Sequence, residues 1–280
     1  MGSPAGPVDR PVDPIPPPIS AGLAAERRLP GWPGPGERIP APPVPVPPGR
    51  GGVQHIPRPH GARAGGPPPW AGVPASDRRP TLAAVRGALA GLDPPVRSVR
   101  ETMGAITRPA AVLAPLYDEH RAAMVVLTRR TWSLRSHRGE VSFPGGRVEP
   151  GETPADGALR EAKEEIDLDP SAIEVIGELD HLATVASGSF IVPLVGALPG
   201  RPHTTPNPAE VDLVLHVPLA ELLDPAIYRE EIWTFPDGVD RRIFFFELVG
   251  DTLWGATAAM LRQLLGLVTG TLGRGDLDHF

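Results

Sequence analysis

Residues 146–168 read GRVEPGETPADGALREAKEEIDL, and the fold turns on how this stretch is read. Thr153 is a good N-cap, Pro154 suits the first helical position, and Asp156 fits the first turn. A helix is therefore predicted from about residue 154 to about Ile166. At about 100° per residue, Ala155, Ala158, Leu159, Ala162 and Ile166 share one face. Glu161, Glu164 and Glu165 lie on a separate arc, because residues three and four apart are helical neighbours. Three carboxylates that close repel one another unless something offsets the charge. One reading is a solvated acidic face partnered by Arg160 and Lys163. The other is a hard divalent cation held by oxygen ligands. The Gly-rich loop ahead of the helix favours the second.

This stretch resembles the signature of the Nudix hydrolases, G-x5-E-x7-R-E-U-x-E-E-x-G-U, where U is bulky and apolar. Gly146, Glu152, Arg160, Glu161, Glu164, Glu165 and Leu168 fall in register. Two positions depart: Ala162 is small for its U position, and Asp167 stands where Gly is usual. Glycine there would serve as a left-handed helix cap, a conformation Asp tolerates better than most residues.

Immediately upstream, residues 129–146 read RRTWSLRSHRGEVSFPGG. Arginines interleaved with Ser and Gly mark an exposed loop. On composition alone it is either ordinary surface in an Arg-rich chain or a cationic clamp for a pyrophosphate. The segment resembles the motif of the coenzyme A pyrophosphatases within the Nudix family, L-L-T-x-R-[S/A]-x3-R-x3-G-x3-F-P-G-G. Leu127, Thr128, Arg130, Arg135, Gly139, Phe143, Pro144, Gly145 and Gly146 match, while Val126 and Thr131 differ mildly.

The resemblance implies a metal-dependent diphosphatase that cleaves coenzyme A to 3′,5′-ADP and 4′-phosphopantetheine. Other nucleoside diphosphate derivatives (ADP-ribose, NADH, a capped RNA end) are the alternative substrates, and a non-catalytic Nudix-fold binding protein is the third reading. It implies Mg²⁺ or Mn²⁺ on Glu161 and Glu165, with Glu164 as a third or water-mediated ligand. Glu152 would bond Arg160 or reach a second metal through water. Gly145 and Gly146 would let backbone approach phosphate, and Arg130, Arg135, Gly139 and Phe143 would form the substrate side. The general base comes from the box or from a glutamate on a later loop. Glu210 is the candidate for the second option, and opening a strand is its plainer role. Many relatives pair as homodimers, but no stretch of this sequence marks an interface.

Of 39 prolines, 23 fall within residues 1–80, alongside nine Arg and five acidic residues. The remaining 200 residues carry 18 basic and 28 acidic side chains, so bulk charge gives no basis for nucleic-acid binding. Lys163 is the only lysine against 26 Arg, as codon bias in a GC-rich genome would produce. Cysteine is absent, which excludes disulfides and thiolate chemistry. No secretory signal and no run approaching ~20 apolar residues is visible, so a cytoplasmic, membrane-free protein is the expectation. The histidines do not pair at metal-ligand spacing, no serine sits in a nucleophile motif, and no Gly-Lys-Ser/Thr follows the glycines.

Composition divides the chain. Residues 1–79 are expected to be a disordered Pro/Gly/Arg-rich tail, either a docking site for a proline-recognising partner or a spacer, with Trp32 and Trp70 as isolated aromatics. Residues 80–104 form a helical lead-in, 105–268 the Nudix domain, and 269–280 a frayed tail. Within the domain, strands are predicted over 110–116 and 122–128 around a turn at 117–121. Further strands are expected at 173–179, 190–198, 210–217, 232–235 and 241–249, then a helix at 255–268. This order suits an α/β/α sandwich with a mixed sheet, the fold the resemblance also implies.

Overall fold

Residues 122–127, AAMVVL, are apolar on both sides of the strand they form, so each face needs a covering layer. Ala123, Val125 and Leu127 enter one buried cluster, and Met124 and Val126 enter another. A computed structural model describes residues 31–34, 36–97, 108–134, 136–183 and 189–279. Its elements begin with β1 (Gly51–Gly52), β2 (Arg63–Ala64), α1 (Leu82–Leu89), β3 (Arg108–Glu119) and β4 (Ala122–Arg130). Then come β5 (Val141–Ser142), β6 (Gly145–Arg147), α2 (Pro154–Ile166), β7 (Glu174–Glu178), β8 (Leu182–Ala183) and β9 (Ser189–Ala197). The order closes with β10 (Val211–Pro218), β11 (Tyr228–Thr234), β12 (Asp240–Glu247), β13 (Val249–Gly250), β14 (Thr252–Trp254) and α3 (Gly255–Val268).

The central sheet runs β10-β4-β3-β9-β7, with β5, β6 and β8 attached to β4, β3 and β9. Only the β3–β9 pair is parallel, so the sheet is mixed as expected. Helix α2 covers one face, packing Ala158, Ala162 and Ile166 on Ala111, Leu113, Val126 and Val192. Helices α1 and α3 cover the other face through Val85, Leu89, Leu261, Leu264 and Leu265. The protein is thus an α/β/α sandwich.

Helix α2 carries the predicted start. Thr153 accepts from Asp156 N–H, and Asp156 returns a bond to Thr153 N–H, a reciprocal capping box. It ends at Asp167, held left-handed at φ 57°, with Leu168 N–H reaching back to Ala162 O at 3.3 Å.

Four expectations need correction. Strand β3 continues to Glu119, with Tyr117 buried, and the turn is only His120-Arg121, both at positive φ. That is the primed two-residue turn that matches strand twist, built here without the usual Asn-Gly. Second, residues 31–79, apart from Pro35, are packed rather than disordered; residues 1–30 lie outside the described residues. Trp70 is fully buried, stacked on Phe246 and edge-on to Tyr228. Trp32 packs on Trp233 and Phe235, so neither tryptophan is isolated. This arm also adds β2 to a second sheet, β14-β12-β11-β2, and pairs β1 with β13. Third, the 269–279 tail is docked: Leu277 is buried, Gly275 N–H donates to Asp180, and Asp276 pairs with Arg262. Last, β11 starts at Tyr228, four residues earlier than predicted, because its charged residues pair internally. Arg229 bonds both Glu231 and Glu247, Arg58 bonds Glu231, and all four side chains are buried.

Candidate active site

One face of α2 is committed to the core, so the carboxylates i+3 and i+4 along it emerge toward the β6 edge. Arg160 gathers Glu152, Glu161 and Glu164. Its guanidinium donates to Glu152 at 2.8 and 3.2 Å, to Glu161 at 3.0 Å, to Glu164 at 3.1 Å, and to the carbonyl of Arg147 at 2.9 Å. Hydrogen bonding to Glu152 raises the Arg160 pKa above its ordinary value. The same bond, helped by the Glu149 N–H, holds the Glu152 carboxyl below the usual carboxylate range.

The three expected metal ligands occupy different surroundings. Glu164 is more than half exposed, Glu161 is mostly covered, and Glu165 is 3% exposed. Burial raises the Glu161 pKa above the usual range, against the pull of Arg160. Burial pushes Glu165 up to about 7, with Glu161 and Glu210 adding repulsion. Among the described residues, two groups oppose that cost: the Gly145 N–H at 3.3 Å and the Arg130 guanidinium at 3.6 Å. Among the described residues no three His, Cys, Asp or Glu side chains stand in ligating geometry. Arg160 binds Glu161 and Glu164, while Arg130 and the Gly145 N–H engage Glu165.

The loop glycine Gly146 is a site residue for steric reasons. A Cβ there would lie 2.6 Å from Glu161 Cδ and 2.7 Å from both carboxylate oxygens. Glycine is what lets the carboxylate lie against the β6 backbone. Glu210 sits where β10 joins the site: its carbonyl accepts from Thr131 N–H at 2.8 Å, and its charge raises both Glu161 and Glu165. Asn207 N–H caps the Glu165 carbonyl at 2.8 Å, tying the 207–210 turn to the end of α2.

The remaining substrate-side residues separate. Arg130 reaches the carboxylates, as above. Arg135 lies outside the described residues. Phe143 is 2% exposed and packs in the core cluster. Gly139 takes φ 63° against the ring of Trp132. Arg129 carries a role that its sequence setting did not signal. It joins Asp212 of β10 at 2.7 Å and Asp251 at 3.2 Å, bracing the end of β4 beside the site.

A mixed sheet flanked by helices thus brings a Gly loop against a carboxylate-bearing helix. The family model of the NUDIX domain matches residues 107–236. The chain is 35% identical over 174 residues to the uncharacterized Nudix hydrolase NudL of Photorhabdus laumondii, covering 62% of this chain and 89% of that protein. It is 37% identical over 158 residues to NudL of Klebsiella pneumoniae, covering 56% and 81%. NudL of Yersinia pestis is 34% identical over 161 residues, covering 57% and 79%. The chain belongs to the Nudix hydrolases, enzymes acting on phosphorus-containing anhydrides. Among the described residues no helix is long and apolar enough to cross a membrane.

Proposed function

We propose that the chain hydrolyses the diphosphate bond of coenzyme A or its derivatives, releasing 3′,5′-ADP and 4′-phosphopantetheine. The observation that carries this reading is the convergence of the segment 127–146 on the α2 carboxylates. Arg130 faces Glu165, Gly145 N–H bonds it, and Gly146 abuts Glu161. The coenzyme A-type motif thus ends directly on the candidate chemistry.

In donor type the carboxylates suit a hard divalent cation such as Mg²⁺ or Mn²⁺, which would have to draw Glu161, Glu164 and Glu165 from their present arginine partners. All donors are carboxylate oxygens, and Glu165 is buried with less counter-charge than its ionised form requires. Glu161 and Glu165 would hold the ion, with Glu164 joining from the exposed side. When bound, it neutralises diphosphate charge and lowers the pKa of a coordinated water. Arg130 and Arg135 bind the nucleotide phosphates. Glu210 accepts the proton of the attacking water, its carboxylate standing within the electrostatic reach of both Glu161 and Glu165. Arg160 holds Glu152 and Glu161 in register with the loop.

A substrate panel with Mg²⁺ and Mn²⁺ tests the reading. Coenzyme A, dephospho-coenzyme A, ADP-ribose, NADH and a capped dinucleotide are compared by kcat/KM. Coenzyme A is expected to lead; ADP-ribose far ahead of it would transfer the assignment to that substrate class.

A further inference from the structure

One brace on the loop 130–140 comes from a part of the chain that the family model does not reach. Gln54, in the Pro-rich arm, is 9% exposed and makes three hydrogen bonds. Its Nε2 donates to the Gly139 carbonyl at 3.0 Å and to Asp251 Oδ1 at 2.6 Å, and its Oε1 accepts from Thr252 N–H at 2.9 Å. The partners fix the orientation of the amide: a carboxylate and a carbonyl need donors, and an N–H needs an acceptor. Only a carboxamide of this length satisfies all three.

The surrounding backbone is built to admit that side chain. A Cβ on Gly52 would lie 2.1 Å from Gln54 Oε1, 2.6 Å from the Gly250 carbonyl and 2.7 Å from Asp251 Cα. Asp251 is itself buried and passes the connection on to Arg129, which holds Asp212 two residues beyond Glu210. At the loop, Gly139 N–H bonds Arg130 O at 3.1 Å and Arg130 N–H bonds Glu140 O at 2.9 Å, so the far end of the loop locks onto its own Arg130.

We propose that Gln54 is a positioning residue for the substrate loop: it fixes Gly139, and through it Arg130, so that the N-terminal arm sets substrate affinity. The consequence for substrate rests on the coenzyme A reading of residues 130–143; the consequence for the loop does not. Loss of the carboxamide leaves the Gly139 carbonyl without its buried donor, leaves Asp251 to Arg129 alone, and frees the loop.

The test compares full-length Q54A, Q54E and W32A proteins with wild type, by hydrogen exchange of the 130–140 peptide and by steady-state kinetics on coenzyme A. Glutamate keeps the size and the acceptor for Thr252 but cannot donate to Gly139, so it serves where Q54A fails to fold. Trp32, in the same arm, packs on Trp233 and Phe235, so W32A controls for loosening of the arm. In Q54A and Q54E the Arg130 and Gly139 amides should exchange at least about tenfold faster. KM should rise about tenfold, with kcat within about twofold. W32A should lower stability and leave loop exchange and KM unchanged. Unchanged loop exchange in both Gln54 variants overturns the proposal, as does faster exchange with unchanged KM, or W32A matching Q54A. A wild-type protein inert toward coenzyme A removes the function proposed above, while loop exchange still decides whether Gln54 holds the loop.

Discussion

Glu165→Gln should make the metal-free protein more stable at alkaline pH while removing turnover. Glu165 is 3% exposed, with one backbone N–H at 3.3 Å and one guanidinium at 3.6 Å in partial compensation. Burial lifts its pKa from 4.5 to about 7. Below about pH 4.5 the folded and unfolded chains both carry the proton, so the two proteins differ little. Between about 4.5 and 7 the unfolded chain releases it while the folded chain retains it, and wild-type stability falls as pH rises. Above 7 the full penalty applies, about 3 kcal/mol as an upper limit. Gln keeps the acceptor for Gly145 and carries no charge. Urea unfolding in EDTA from pH 4.5 to 8.5 should show the advantage of E165Q growing over that range and then levelling off. With Mn²⁺ the order should narrow or reverse, because only the carboxylate gains from the cation. An E165Q protein less stable than wild type at pH 8 in EDTA, or an advantage independent of pH, would refute the reasoning.

Other perturbations have clear directions. G146A places a Cβ inside contact distance of the Glu161 carboxylate; it should reduce kcat by about 10²-fold with an unchanged circular dichroism spectrum. D167G relieves the left-handed strain but loses the Lys163 ion pair at 2.5 Å; net stabilisation of about 0.5–1 kcal/mol should appear in thermal melts, with activity unaltered. W70A empties a fully buried indole site and should cost about 3–5 kcal/mol in urea unfolding, whereas a spacer tail would tolerate it.

The sandwich was legible because its signals are local. Thr153-Pro154 and Asp167 bracket α2, and apolar runs in β3, β4 and β9 need no distant information. The arm was misread because proline content speaks to ladders and not to burial. Pro cannot donate to a ladder, and the arm's strands are indeed only two residues long. An irregular chain can still bury Trp70 and place Arg58 against Glu231. The start of β11 at Tyr228 was missed for a related reason: the partners that neutralise Arg229 and Glu231 lie at Glu247 and Arg58, apart from them in sequence. At the site, helical spacing revealed which carboxylates share an arc. It could not show that Arg160 divides them, nor that Phe143 faces the core. Gln54 carried no signal at all, being a single amide 85 residues before the loop it contacts.

The most direct measurement is mass analysis of the products formed from coenzyme A by the Mn²⁺-loaded protein, with an EDTA-treated sample alongside. The account predicts 3′,5′-ADP and 4′-phosphopantetheine in equal amounts with the metal, and intact coenzyme A in EDTA. Intact coenzyme A in both samples, under conditions where ADP-ribose is consumed, would contradict it.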